Sequence, residues 1–225
     1  MRFSRSVGLA LALGFVASAA QAQNYQGQVT LTGAGSTVFN GVYVGPYTGN
    51  VPGRTGTPMY CVDFLNSVRI GDTWTANFTS LSSMLSSGSS DFLRTRWGMV
   101  WGDQSIAMYQ KAAWLATQFA VNPTGDWGNI HGAIWDFFTP GDSPTWPGRL
   151  PWMASADSAY TAGNSNINGF NWDYWYVVTD VNTTGLDGGK QEYLVYITPE
   201  PETLLLLGTG LVGMFGIGFA AKRFV

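Results

Sequence analysis

The chain has 225 residues, a formal net charge of −3 and only 11% charged residues. It contains no Lys or Arg run, which excludes the clustered basic surface that a nucleic-acid partner requires. The single cysteine, Cys61, excludes an intramolecular disulfide. The length between the two terminal segments suits one domain with its own core, needing no metal or crosslink as a staple.

Residues 1–22 read as a secretory signal. Arg2 and Arg5 give a positive start, Val7 to Ala19 form an apolar run, and Ala20-Gln21-Ala22 is an A-x-A cleavage site that leaves Gln23 as the mature start. Within the segment 23–198, residues 28–32 and 38–44 read as strands. Gly45-Pro46 and the Gly/Pro-rich stretch 49–58 are turn chemistry. A third strand is expected over Tyr60 to Val68, with Tyr60, Val62 and Phe64 on one face and Cys61, Asp63 and Leu65 on the other. The Ser-rich stretch 80–91 reads as a loop.

Met108, Ala112, Leu115 and Phe119 form an apolar stripe that predicts a helix over 104–121, ended by Pro123-Thr124-Gly125. A second helix is expected near 128–138, burying Ile130, Ala133, Ile134, Phe137 and Phe138. Pro140 to Pro151 is a Pro-rich loop, with a short helix expected over 153–162. Tyr174 to Val181 and Gln191 to Thr198 read as a hairpin with Gly185, Gly188 and Gly189 between its strands. The fold class is therefore α+β: a mostly antiparallel β domain, barrel-like, with two inserted helices.

At the C-terminal end, Pro199-Glu200-Pro201 interrupts regular structure. Residues 204–221 carry no charge and would span ~27 Å as a helix, enough for a hydrocarbon core. Lys222 and Arg223 follow as a basic stop that orients the main domain outward. This order over 199–225 resembles the PEP-CTERM sorting signal of Gram-negative bacteria. The resemblance implies export, passage through an inner-membrane intermediate and processing by an exosortase. It also implies delivery to the cell surface, outer envelope or extracellular space, in an exopolysaccharide setting. The logic parallels other signals in which a hydrophobic tail is an address rather than a lasting anchor.

Three short segments of the middle domain carry a second resemblance. Tyr60-Cys61-Val62-Asp63, Tyr109-Gln110-Lys111-Ala112-Ala113-Trp114 and Ile130-His131-Gly132-Ala133-Ile134-Trp135 occur in the order found in the thioester domains of Gram-positive surface adhesins. That family joins a cysteine to a glutamine and captures nucleophiles covalently. Cys61 matches the thioester cysteine, but His131 occupies the partner position. An imidazole has no carboxamide and cannot form that acyl bond. The resemblance thus implies the scaffold without the crosslink, unless Gln110 or Gln118 faces Cys61.

Three other chemistries are weighed on the same residues. Cys61 and His131 could pair as nucleophile and base, with Asp63 or Asp136 orienting the ring. Against this, free cysteines are commonly buried and inert, and His131 lies four residues before an indole on which it can pack. Metal-ligand spacing is absent, as is a phosphate-binding Gly-rich loop, so no metal or cofactor is expected. Ten Trp residues suggest a glycan-binding surface. Trp114 and Trp135 sit at packing positions, and Trp146 and Trp152 in the Pro-rich region are candidates for exposure. The combined expectation is a non-enzymatic exported protein of the envelope or biofilm matrix. The alternatives are a covalent Cys–Gln adhesin, a secreted Cys–His hydrolase and a glycan-binding module.

Overall fold

Side-chain alternation along the strands decides the architecture. The computed structural model describes residues 23–35, 37–160 and 170–198. Six antiparallel strands close into a barrel, in the order β1 (Tyr25–Gly33), β4 (Tyr47–Val51), β5 (Arg54–Cys61), β8 (Tyr193–Tyr196), β7 (Trp175–Asp180) and β6 (Thr73–Ser80). A hairpin of β2 (Thr37–Phe39) and β3 (Val42–Val44) lies apart from it. Inward positions fill the barrel with side chains: Val29 and Leu31, Tyr47, Met59 and Cys61, Trp74, Ala76 and Phe78, Tyr176 and Val178, Tyr193 and Val195. A small barrel is a packed core of this kind rather than a channel. Gly49 makes the room that Met59 occupies, since a Cβ there would stand 2.2 Å from the Met59 sulfur.

The opposite faces of β5, β7 and β8 are also apolar. Val62, Trp175, Val177 and Leu194 form a second buried cluster with the helices. These are α1 (Leu81–Leu85), α2 (Arg96–Trp101), α3 (Gln104–Gln118), α4 (Trp127–Phe138) and α5 (Arg149–Ala159). The strands buried on both faces therefore read as nearly continuous apolar runs, such as Trp-Tyr-Val-Val in β7. α4 serves both clusters. Ile130, Ala133, Ile134 and Phe138 face the helical layer, while Trp135 joins the barrel-side cluster. Its glycines admit neighbours closely: a Cβ on Gly128 would strike the Phe39 ring at 2.2 Å, and one on Gly132 would reach Trp146 at 3.0 Å.

The α+β class holds in its coarse form, an antiparallel barrel core with helices, but several elements differ from expectation. Five α-helices are present among the described residues, against two inserted helices and a short one over 153–162 expected from the sequence. The strand expected over Tyr60 to Val68 instead ends at Cys61, as β5 over Arg54–Cys61, and the supposed turn region 49–58 supplies parts of β4 and β5. Pro58 is tolerated because the β5–β8 pairing begins only at Met59. The predicted 38–44 strand is split into a hairpin at Asn40-Gly41, both with positive φ. The Ser-rich stretch contains α1, and the helix expected over 153–162 begins earlier, at Arg149. The predicted strands omit β6, although its inward Trp74, Ala76 and Phe78 alternate cleanly. The signal segment 1–22, the sorting motif 199–201 and the helix expected at 204–221 lie outside the described residues. Among the described residues, no helix is long and apolar enough to cross a membrane.

Gly45 tests the packing between β3, α4 and the barrel. Its φ is +92°, and a Cβ there would stand 2.3 Å from the Trp127 ring. Gly45→Ala is expected to cost about 2–4 kcal/mol in urea unfolding, from left-handed strain plus overpacking. Gly53→Ala shares the positive φ but faces open space, so it is expected to cost only about 1–2 kcal/mol.

Candidate functional site

Cys61 ends β5 on an inward-facing position, so its thiol enters the barrel rather than the solvent. It is fully buried, and Sγ donates to the Asp63 carbonyl at 3.2 Å. Burial, reinforced by the nearby negative charge of Asp63, pushes the thiol up to about 12. A thiol in that state is protonated and shielded, the opposite of an activated nucleophile.

His131 is brought against the backbone of the same residue. Nε2 lies 2.9 Å from the Cys61 carbonyl oxygen, and Nδ1 accepts from the Gly45 N–H at 3.0 Å. These partners require one tautomer: Nε2 protonated and donating, Nδ1 bare and accepting. Protonating Nδ1 would set one N–H against another. Burial is what lowers the imidazole, to about 4, against the opposing pull of the Cys61 carbonyl. The ring stacks on Trp135 at 4.2 Å and meets Phe119 and Tyr47 edge-on. His131 thus ties α4, β5 and the β3–β4 turn through three elements of backbone and ring. The expected orienting carboxylates are engaged elsewhere. Asp136 accepts from Ser143 and Arg149, and Asp63 accepts from Leu65 and Asn66. Gln110 is buried on α3, and Gln118 donates to the Thr117 hydroxyl. Gln191 was not among the sequence candidates, yet its Nε2 donates at 3.1 Å to the Asp63 carbonyl, the atom that also accepts the Cys61 thiol.

Beside this lies a buried polar cluster that the sequence reading missed. Arg96 is fully buried at the start of α2. Its Nε is 2.9 Å from Asp63 Oδ2, and its terminal nitrogens donate to the carbonyls of Gly185, Leu186, Gly188 and Lys190. Glu192 accepts from the Arg96 backbone N–H at 2.7 Å and from the hydroxyls of Tyr109 and Thr179. Burial raises Glu192 to about 7 against the pull of those donors. Asp63 and Arg96 already balance one another, so a charged Glu192 would leave a net buried anion. One signal was available: Glu192 is an isolated acid entering the apolar strand Tyr-Leu-Val-Tyr. Among the described residues, no His, Cys, Asp and Glu group could hold a metal ion.

Two surface concavities of the described residues meet at Tyr196. One, of about 430 Å³, has Trp175 in its lining with Tyr60, Phe170 and Asn171; the other, of about 390 Å³, runs along Arg54 to Pro58 and ends at Thr198. Trp146 and Trp152, expected to be exposed, are half-buried instead; Trp146 packs edge-on against Phe39 at 4.7 Å. No family model, curated protein or solved structure matches the chain.

Two outcomes follow for the buried groups. Native Cys61 is expected to resist alkylation until the domain unfolds, as read by mass after iodoacetamide treatment with and without urea. His131 and Glu192 should also impose opposite pH dependences. His131, lowered from 6.5 to about 4, favours folding above pH 6.5, and that stability is lost as pH falls toward 4. Glu192, raised from 4.5 to about 7, favours folding below pH 4.5, and that stability is lost as pH rises through 7. Each contributes a slope of roughly 1.4 kcal/mol per pH unit, so the two cancel over the shared window. Replacing Glu192 with Gln should expose a stability that rises with pH between 4.5 and 6.5. Replacing His131 with Gln should expose one that falls over the same window. Urea midpoints across that range read both slopes.

Proposed function

We propose that the chain is a non-enzymatic protein exported to the cell envelope or biofilm matrix, carrying a thioester-domain-like scaffold. The order of the terminal segments supports the export half: basic start, apolar run and A-x-A site at one end, then Pro199-Glu200-Pro201, an uncharged run and Lys222-Arg223 at the other. Residues 204–221 would hold the membrane only until the exosortase acts. The observation that carries the non-enzymatic half is the commitment of both His131 nitrogens to backbone partners while the Cys61 thiol is enclosed in the barrel. A Cys–His hydrolase needs that imidazole free to take a proton from that thiol. Placement of the family's partner position against the Cys61 backbone supports the shared scaffold.

One contact favours a second reading, the covalent adhesin. Gln191 and Cys61 bond the same Asp63 carbonyl oxygen, so a crosslink would join Cys61 Sγ to the Gln191 carboxamide carbon. The thiol proton would leave with the amide nitrogen as ammonia. Intact mass separates the readings: the first requires the full calculated mass, the second a loss of one ammonia.

The export half is tested in a host that has an exosortase. The recovered protein is expected to begin at Gln23 and to lack the segment after Pro201. Changing Pro199, Glu200 and Pro201 to Ala should leave the tail attached and the protein in the inner membrane. A full-length chain in the cytoplasm would contradict the proposal.

A further inference from the structure

The aromatic concavity beside the barrel has a chemistry that no part of the export reading uses. Trp175, on the outer face of β7, is only 4% exposed and stands at its centre. Around that indole, Phe170 lies at 5.8 Å and 24°, Tyr60 at 6.0 Å and 43°, and Tyr196 at 5.3 Å and 59°. Tyr196 is the open wall, 42% exposed. Asn171 adds an exposed amide and Thr117 a hydroxyl whose proton is given to the Trp114 carbonyl, leaving its oxygen to accept; among the described residues, no charged one lines the cavity. The Asn171 side chain is fixed where it stands, because its Oδ1 accepts from the Asp173 N–H at 3.0 Å.

These features discriminate among ligands. A volume of about 430 Å³ falls within the range of roughly 300–1,000 Å³ usual for small-molecule sites. An uncharged lining gives a carboxylate, phosphate or ammonium nothing to pair with, and desolvating such a group there would be costly. A purely apolar ligand would leave the Asn171 amide without a polar partner from the ligand. A neutral sugar ring suits both halves of the lining: its C–H face packs on an aromatic ring, and its hydroxyls bond an amide and a hydroxyl. Rings set at different tilts around one floor fit a short saccharide segment better than a flat aromatic ligand, which prefers parallel stacking.

We propose that this cleft, walled by Tyr60, Phe170 and Tyr196 over Trp175, binds a neutral oligosaccharide segment. The choice of glycan over other neutral polar ligands rests in part on the export reading, which places the domain among exopolysaccharides. Binding by the purified chain is nevertheless independent of its processing in cells, so failure of one leaves the other standing.

The test uses the full chain in a sugar-free zwitterionic detergent, titrated by calorimetry and tryptophan fluorescence. The probes are cellohexaose, laminarihexaose, maltohexaose and xylohexaose, with a galacturonic acid hexamer as the acidic comparator. At least one neutral probe is expected to bind more tightly than the acidic one. Tyr196→Ala should weaken that binding roughly tenfold, while Tyr196→Phe, which keeps the ring, should stay within about threefold of the unaltered chain. Tyr196 is an exposed position, and circular dichroism is to be used to check that both variants fold. The proposal is overturned if no neutral probe binds, if the acidic probe binds best, or if Tyr196→Ala binds as well as the unaltered chain. A dimer that forms through Tyr196, seen by sedimentation, would also overturn it, since a second copy would then be the occupant.

Discussion

The burial of Arg96 against Asp63 constrains the rest of the molecule. Both side chains are fully withdrawn from solvent, and a buried charge persists only where it is paired and hydrogen-bonded. The guanidinium meets that requirement by gathering carbonyls from the β7–β8 connection, so that loop is wrapped around one side chain. The same residue offers its backbone N–H to Glu192, which enters β8 and bonds Tyr109 on α3 and Thr179 on β7. One cation thereby fixes where the helical layer meets the closed barrel. Removing either partner of such a pair costs about 3–5 kcal/mol, because the other is left buried and alone.

That constraint sets the surroundings of Cys61 and His131. Asp63, two residues beyond the cysteine, is held by Arg96, and its carbonyl takes the thiol proton's hydrogen bond. The chain then turns so that the Cys61 carbonyl meets His131. A cysteine and a histidine that look reactive as a pair in sequence are joined instead through backbone atoms. His131, which the proposed adhesin-like alignment would set at the acyl partner's position, is a neutral clamp between α4, β5 and the turn at Gly45.

Much of this architecture was legible in the residues. Helices α3 and α4 announced themselves because each buries one apolar stripe, with Ala112, Leu115 and Phe119 on the first and Ile130, Ala133 and Ile134 on the second. The β7–β8 hairpin was legible from its glycines. β5 was misplaced because Gly53, Gly56 and Pro58 carry turn chemistry, while its pairing depends on partners far along the chain. The site was less legible than the fold. Nothing local marks Arg96 as buried, since its partners lie at residue 63 and at residues 183–192. The aromatic cleft likewise assembles Tyr60, Phe170 and Tyr196 from three separate segments, so counting tryptophans pointed toward Trp146 and Trp152 rather than toward it.

The clamp at His131 is the part of the account most directly open to measurement. Long-range ¹H–¹⁵N correlation spectroscopy on the chain labelled at its only histidine reports the tautomer and charge of the ring. The account requires a neutral ring protonated at Nε2, unchanged from neutral pH down to about 5, because its titration is lowered to about 4. A ring that titrates near 6.5, or that carries its proton on Nδ1, would contradict it and would return His131 to the role of a base beside Cys61.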